Sequence, residues 1–438
     1  MTADPQAPGR QRQSIGLNRR SLIKAGAGAA AASSMGLFGP SALPLINRRS
    51  AAAQGDALTF WQFYAPGGQV PEQSKWFEDT VAGWNSQNER QIELVYVPNS
   101  DYMDGTKLPT AFASGQGPDL FIISPGDFLR YYNGGVLQDL TPFMEQEAID
   151  DFFPDVLASR MVDGKVFGLP MEVEPMAMYY SMDAWEEAGL TEADVPTTWD
   201  QLTSVSQKLK AAKVQPLVIG DTRDRIGAFM VQSGGWITSA DGKQATADSP
   251  ENLAALQYVQ SLLKQGYVAY PKDVNAGWGG EAFGKQSAAM TIEGNWIKGA
   301  MQNDFPNVKY TVHPLPAGPA GQGTLSFTNC WGIAAKSKYK EQAIAFVEAM
   351  TEAEQQLAFA KAFGVMPSRQ SAKDAYSQEF PDDKPFIDAA EYAQGPVNAP
   401  KMDSVLADFD AKLQGLKAGN PQAILTELQK NTQATLGG

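Results

Sequence analysis

The 438-residue sequence contains one histidine, His313, and one cysteine, Cys330. A single cysteine excludes an internal disulfide. With a single histidine as well, the chain is poorly equipped for Ser-His-Asp or Cys-His catalysis and for most zinc sites. Any metal chemistry would have to be all carboxylate, so neither a metal nor another cofactor is expected. His313 lies in YTVHPLP, an alternating strand entering a proline turn, and reads as a hydrogen-bonded or exposed strand residue. No GxGxxG follows a strand and no Walker-type loop is present. Nor is there a run of 18 or more strongly apolar residues, the length a membrane-spanning helix needs. Basic charge is scarce too, with 35 Lys and Arg against 49 Asp and Glu.

Much of that basic charge sits at the beginning. Residues 18–28 read NRRSLIKAGAG, and a weakly apolar Ala, Gly and Ser run continues to about Leu45. Arg19 and Arg20, with Leu22 and Lys24, resemble a bacterial twin-arginine export signal. Gly36, Gly39, Pro40 and Pro44 interrupt the run, which favours cleavage near Ala51–Ala53 over a membrane anchor. Cys330 lies far from that region, so an N-terminal lipid-modified cysteine is not expected. Setting aside residues 1–53 removes seven basic residues and one acid, leaving 28 basic against 48 acidic, a net charge of about −20. Such a charge repels nucleic acid and anionic membranes and favours a soluble monomer. The remaining length exceeds what one core supports, so two domains are expected.

Strand and helix signals alternate along the chain. ALTFWQFY, QIELVYVP and GPDLFIIS read as strands, separated by helical segments such as EQSKWFEDTVAGWNSQ, which indicates a parallel sheet covered on both faces. A second α/β unit follows the extended segment GKVFGLPMEVEPMAMYY. In it, Thr198 and Ser249 are expected to cap helices and Gly266 to end one. SFTNCWGIAAK reads as one strand, YKEQAIAFVEAMTEAEQQLAFAKAF as one long helix, and the tail as two helices joined at Gly419-Asn420-Pro421.

Seven stretches together resemble the family 1 extracellular solute-binding proteins, receptors of sugar-importing ABC transporters, of which maltose-binding protein is a member. They are residues 114–143, 167–190, TTWDQL (197–202), SAAMTIEGNW (287–296), 312–325, 330–351 and VMPSRQSA (365–372). The resemblance implies a two-lobed α/β periplasmic binding protein fold of type II with three hinge crossovers. These would fall near Glu174–Met176, Pro314–Gly318 and Gly364–Pro367. One lobe would take residues 54–174 and 318–364, the other 177–314 and 369–438. The protein would bind a sugar or oligosaccharide between the lobes and deliver it to ABC permease subunits from the periplasm or cell exterior, without enzymatic activity. The first loop, YAPGG, lacks the acid and lysine that maltose-binding protein carries there, so maltodextrin specificity is not implied.

In open α/β sheets ligands lie beyond the C-terminal strand ends. That rule selects Trp61 to Tyr64, Asp127, Asp221 to Asp224, Glu293 to Trp296, and Asn329 with Trp331. The resemblance selects Tyr64, Asp127, Glu174, Arg223, Asp224 and Trp296. Trp278, in AGWGGEAF, has little beside it to pack against. Sugar hydroxyls call for charged partners and sugar C–H faces for aromatic rings. Glu172, Glu174, Asp127, Asp224, Glu293, Arg223 and Arg369 could supply the first, and Trp61, Tyr64, Trp236, Trp278, Trp296 and Trp331 the second. Each residue also has a structural alternative: Asp127 and Glu293 as helix caps or turn acids, Trp61, Trp236 and Trp331 as core, Arg369 as the partner of a surface acid. Two rival functions stay open at this point. One is the same receptor binding a polyol or glycerol phosphodiester; the other is an exported glycoside hydrolase using paired acids.

Overall fold

The computed structural model describes residues 57–64, 66, 71–98, 101–102, 106–397, 399 and 401–437. The twin-arginine segment and its cleavage region lie outside the described residues.

Two sheets organise the chain. The first has five strands in the order Ile92–Tyr96, Leu58–Gln62, Leu120–Ile123, Cys330–Ile333, Leu169–Pro170. Its three early strands are parallel, as their alternation with helices predicts, and Cys330–Ile333 joins antiparallel to Leu120–Ile123. LFII is buried at all four positions because this central strand is covered on both faces. Helix Pro71–Gln87 buries Trp76, Phe77 and Val81. Phe77 meets Phe60 edge-on, with ring centroids 5.7 Å apart.

The second sheet is built around one ten-residue strand, Glu172–Ser181, in which every residue is buried. It pairs antiparallel with Met290–Gly294, Tyr310–His313, Thr324–Phe327 and Met366–Pro367. Leu217–Val218 and Val268–Ala269 extend the sheet in parallel beyond Met290–Gly294. The predicted helix signals hold here. Thr198 Oγ1 accepts from Gln201 N at 3.3 Å and Ser249 Oγ from Asn252 N at 3.2 Å. Gly266 ends helix Pro250–Gln265 at φ 67°, a conformation that favours glycine.

The chain passes between the sheets three times. Met171 separates Leu169–Pro170 in the first from Glu172–Ser181 in the second. The return lies at Thr328–Asn329, later in the chain than Pro314–Gly318, and SFTNCWGIAAK accordingly forms two strands in two sheets rather than one. There Asn329 N turns out of the ladder to donate to the Glu172 carboxylate. The third passage follows helix Ala353–Phe363, where Gly364 has φ 70°. The single long helix expected before it is two, Lys340–Met350 and Ala353–Phe363. Arg369 divides them: its Nε donates to Thr351 O at 2.7 Å and its Nη2 to Thr351 Oγ1 at 2.9 Å, so the turn at Thr351 ends the first helix.

Candidate functional site

Residues two apart on a strand project from one face, so Glu172 and Glu174 form an acidic row beside the crossovers. Phe327 lies opposite Glu174 in register. Both carboxylates are buried, 2% and 8% exposed. Glu172 Oε1 accepts from the backbone N–H of Asn329 and from its Nδ2 at 2.9 Å, while Oε2 has no partner. Burial pushes the Glu172 carboxyl up to about 8, against the opposing pull of Asn329 and Arg160. Glu174 is raised well above the carboxylate range, first by burial and then by the charge of Glu172. Burial and then both acids raise the Tyr64 phenol, which places the loop after the first strand within their field. Arg160 closes the cluster. It is 1% exposed, with Nη1 donating to Ser159 O at 3.0 Å and Nη2 to Thr328 O at 2.5 Å.

A second cluster forms where strand Met290–Gly294 ends. Glu293, 1% exposed, accepts on Oε2 from Arg225 Nη2 at 2.6 Å and from Trp296 Nε1 at 3.0 Å. The Arg225 guanidinium lies 5.2 Å from the Trp296 ring centroid and 6.0 Å from that of Phe327. Because Phe327 stands opposite Glu174, this cluster adjoins the acidic row. A Cβ at Gly279 would collide with Glu293 Oε1, so the AGWGG turn rests directly on this carboxylate. Trp278, in the same turn, is 37% exposed.

A third group lies between the Pro125–Gly126 turn of the first sheet and the helical tail. Arg223 donates from its backbone N–H to Asp410 Oδ1 at 2.8 Å and from Nη1 to Asp410 Oδ2, with Asp224 3.8 Å away. A cavity of about 230 Å³ separates Pro125, Gly126, Phe128 and Arg160 on one side from Arg223, Val397, Asp403 and Asp410 on the other. Asp127, beside this turn, is half-buried with Arg130 at 3.8 Å, and burial raises its carboxyl.

The structure therefore brings together Tyr64, Glu172, Glu174 and Asn329, and separately Glu293 and Trp296, with Trp278 in the adjoining turn. Arg223 and Asp224 lie at the cavity. Other candidates sit elsewhere. Trp331 is 1% exposed and packs on Phe60 at 5.5 Å and Phe77 at 6.2 Å in the first core. Arg369 donates to Thr351 and Ala148 carbonyls and stacks on Phe152 at 4.1 Å, which ties loops together away from the cavity. Trp61 and Trp236 are half-buried against the larger core. His313 sits edge-on to Tyr180 at 5.4 Å with Nε2 buried and unpartnered, and burial lowers its pKa. Cys330 is buried, and burial lifts its thiol to about 11. Two residues escaped the sequence reading, Arg160 and Arg225. Arg160 carries no local signal, whereas Arg225 stands two positions after Arg223 in the first turn of helix Arg223–Gln232. Among the described residues no group of three or more His, Cys, Asp or Glu is placed to hold a metal, and no helix is long and apolar enough to cross a membrane.

Comparison with known proteins fits this geometry. The family described as bacterial extracellular solute-binding protein matches residues 67–357. A binding protein of Brucella abortus is 26% identical over 346 residues, covering 75% of this chain and 82% of that protein. The arabinooligosaccharide-binding protein of Bacillus subtilis is 26% identical over 288 residues, covering 62% of this chain and 64% of that one. Among solved structures, the cyclic α-maltosyl-1,6-maltose binding protein of Arthrobacter globiformis superposes with a TM-score of 0.76 at 22% identity, covering 87% of this chain and 99% of that chain. The fold is thus a two-lobed α/β one. With the family matching well over half of its length, the chain belongs to the bacterial extracellular solute-binding proteins.

Proposed function

We propose that this protein binds a neutral sugar or oligosaccharide in the cleft bordered by Tyr64, Asp127, Glu174, Arg223 and Trp296, and hands it unaltered to the permease of an ABC importer. One observation carries the neutral class: Arg223 and Arg225, the arginines beside the candidate residues, are already ion-paired. Arg223 pairs with Asp410 and Arg225 with Glu293, Asp127 stands by Arg130, and Arg160, 1% exposed, spends two nitrogens on carbonyls. A phosphodiester needs cations left over for it. A neutral sugar needs hydrogen-bonding groups and aromatic faces, which Glu174, Trp296 and the exposed Trp278 provide. The ligands for which two similar proteins are named, an arabino-oligosaccharide and a cyclic maltosyl-maltose, belong to the same chemical class.

Hydrolysis is the weaker reading. A glycosidase sets two carboxyls across the scissile bond with their pKa values pushed apart. Here Glu172 and Glu174 stand on one strand and burial pushes both upward. The lobes close by rotation about the crossovers, whose extended pieces absorb the change. A twin-arginine signal cleaved near Ala53 exports the protein, which acts as a monomer.

Thermal-shift measurements with arabinotriose, maltotriose, lactose, sorbitol and glycerophosphoglycerol test the reading, since a ligand bound only by the folded form raises the melting temperature. A rise with a neutral oligosaccharide that chromatography then recovers intact is expected. No rise with any sugar, or recovery of cleaved sugar, would overturn it.

A further inference from the structure

The Arg225–Glu293–Trp296 cluster contains more than a receptor's fold requires. A buried carboxylate needs a compensating partner, and one donor would suffice; Glu293 has two on the same oxygen, Arg225 Nη2 at 2.6 Å and Trp296 Nε1 at 3.0 Å. Both donors are then locked relative to one another, because the guanidinium lies 5.2 Å from the indole centroid it shares the oxygen with. The second nitrogen of Arg225, Nη1, donates to Asp224 O at 3.1 Å, which fixes the plane of the guanidinium. Its Nε is buried with no acceptor, so the side chain gives up a hydrogen bond to keep this position. Two glycines make the arrangement sterically possible: a Cβ at Gly294 would collide with the indole, and one at Gly279 with Glu293 Oε1. Phe327 closes the remaining side, its ring 5.9 Å from Trp296 and nearly perpendicular to it.

We infer that Arg225 is a positioning residue of the sugar site, which acts through Glu293 and the guanidinium plane to hold the Trp296 indole in one orientation before any ligand arrives. This rests on the reading of Trp296 as a ligand-facing residue. A ring that is already oriented loses no rotamer freedom on binding, and such preorganisation strengthens affinity without any new contact. Lysine could restore the charge beside Glu293 but not the flat surface over the indole, so charge and plane are separable by substitution.

The protein labelled with 5-fluorotryptophan reports the indole directly in ¹⁹F NMR, with the Trp296 resonance assigned from Trp296→Phe. In the ligand-free Arg225→Ala protein the Trp296 resonance is expected to move toward the solvent-exposed position and narrow, while the other tryptophan resonances stay in place. Arg225→Lys should lie between the two. An unchanged Trp296 resonance in Arg225→Ala overturns the inference whether or not a sugar is known. Calorimetry with arabinotriose and maltotriose gives the second readout: Arg225→Ala should weaken whichever binds by about tenfold, roughly the worth of one cation–π contact, and lower the melting temperature because buried Glu293 loses its charged partner, whereas Arg225→Lys, which keeps that charge, should melt near the parent and still bind more weakly. Trp296→Phe that leaves affinity intact would instead remove Trp296 from the sugar site while leaving the orienting role of Arg225 standing.

Discussion

Glu172 has the sharpest consequence of any single residue. Its folded-state pKa, about 8, lies above the ordinary carboxyl value of 4.5. Between those limits the native state keeps a proton that the unfolded chain has released. Stability therefore falls as pH rises through this window, by up to about 1.4 kcal/mol per pH unit. Urea titrations from pH 5 to pH 8 should show this loss in the parent protein and a shallower one in Glu172→Gln, whose amide carries no charge to desolvate. Equal slopes would mean that Glu172 is ionised throughout. Asn252, like Glu172, has one buried oxygen without a partner, Oδ1, but its amide nitrogen is well used. Its Nδ2 donates to the carbonyls of Trp236 at 2.9 Å, Thr246 at 3.2 Å and Ala247 at 3.0 Å. Asn252→Ala strands those acceptors and should cost about 2–4 kcal/mol in chemical denaturation.

At the scale of elements, local signals decided what packing did not. Ser249, Gly266 and Thr198 were legible because a cap depends on the few atoms around it. Ser249→Ala should accordingly lower stability by about 1 kcal/mol, read from the urea midpoint. The break at Thr351 was not legible, because its cause, Arg369, lies beyond the following helix and reaches back through space. The split of SFTNCWGIAAK was hidden for the same reason, since Asn329 leaves its strand to reach Glu172. Candidate site residues divide along this line. Glu174 is conspicuous in sequence as an acid before a proline in an apolar stretch, and it is buried in the site. Trp331 carries the same aromatic signal as Trp296, but only tertiary packing sets it in the first core. Arg160 and Arg225 went unseen because an arginine reads as surface until its partners are known.

For the whole molecule, the two sheets, the three passages between them and the buried strand Glu172–Ser181 form the two-lobed frame on which the proposed closure over a ligand rests. Export belongs to this scale as well. Replacing Arg19 and Arg20 by lysine should retain the full-length chain inside the cell, as immunoblots of cell fractions would show, whereas undiminished export would refute the twin-arginine route. The central claim is that the cleft takes a neutral sugar because Arg223 and Arg225 are already paired. Isothermal titration calorimetry with a neutral oligosaccharide and with its phosphorylated counterpart tests it most directly. The account predicts saturable binding of about one neutral oligosaccharide per chain and at least tenfold weaker binding of the phosphorylated form. Tighter binding of the phosphorylated sugar, or no heat with any neutral one, would contradict it.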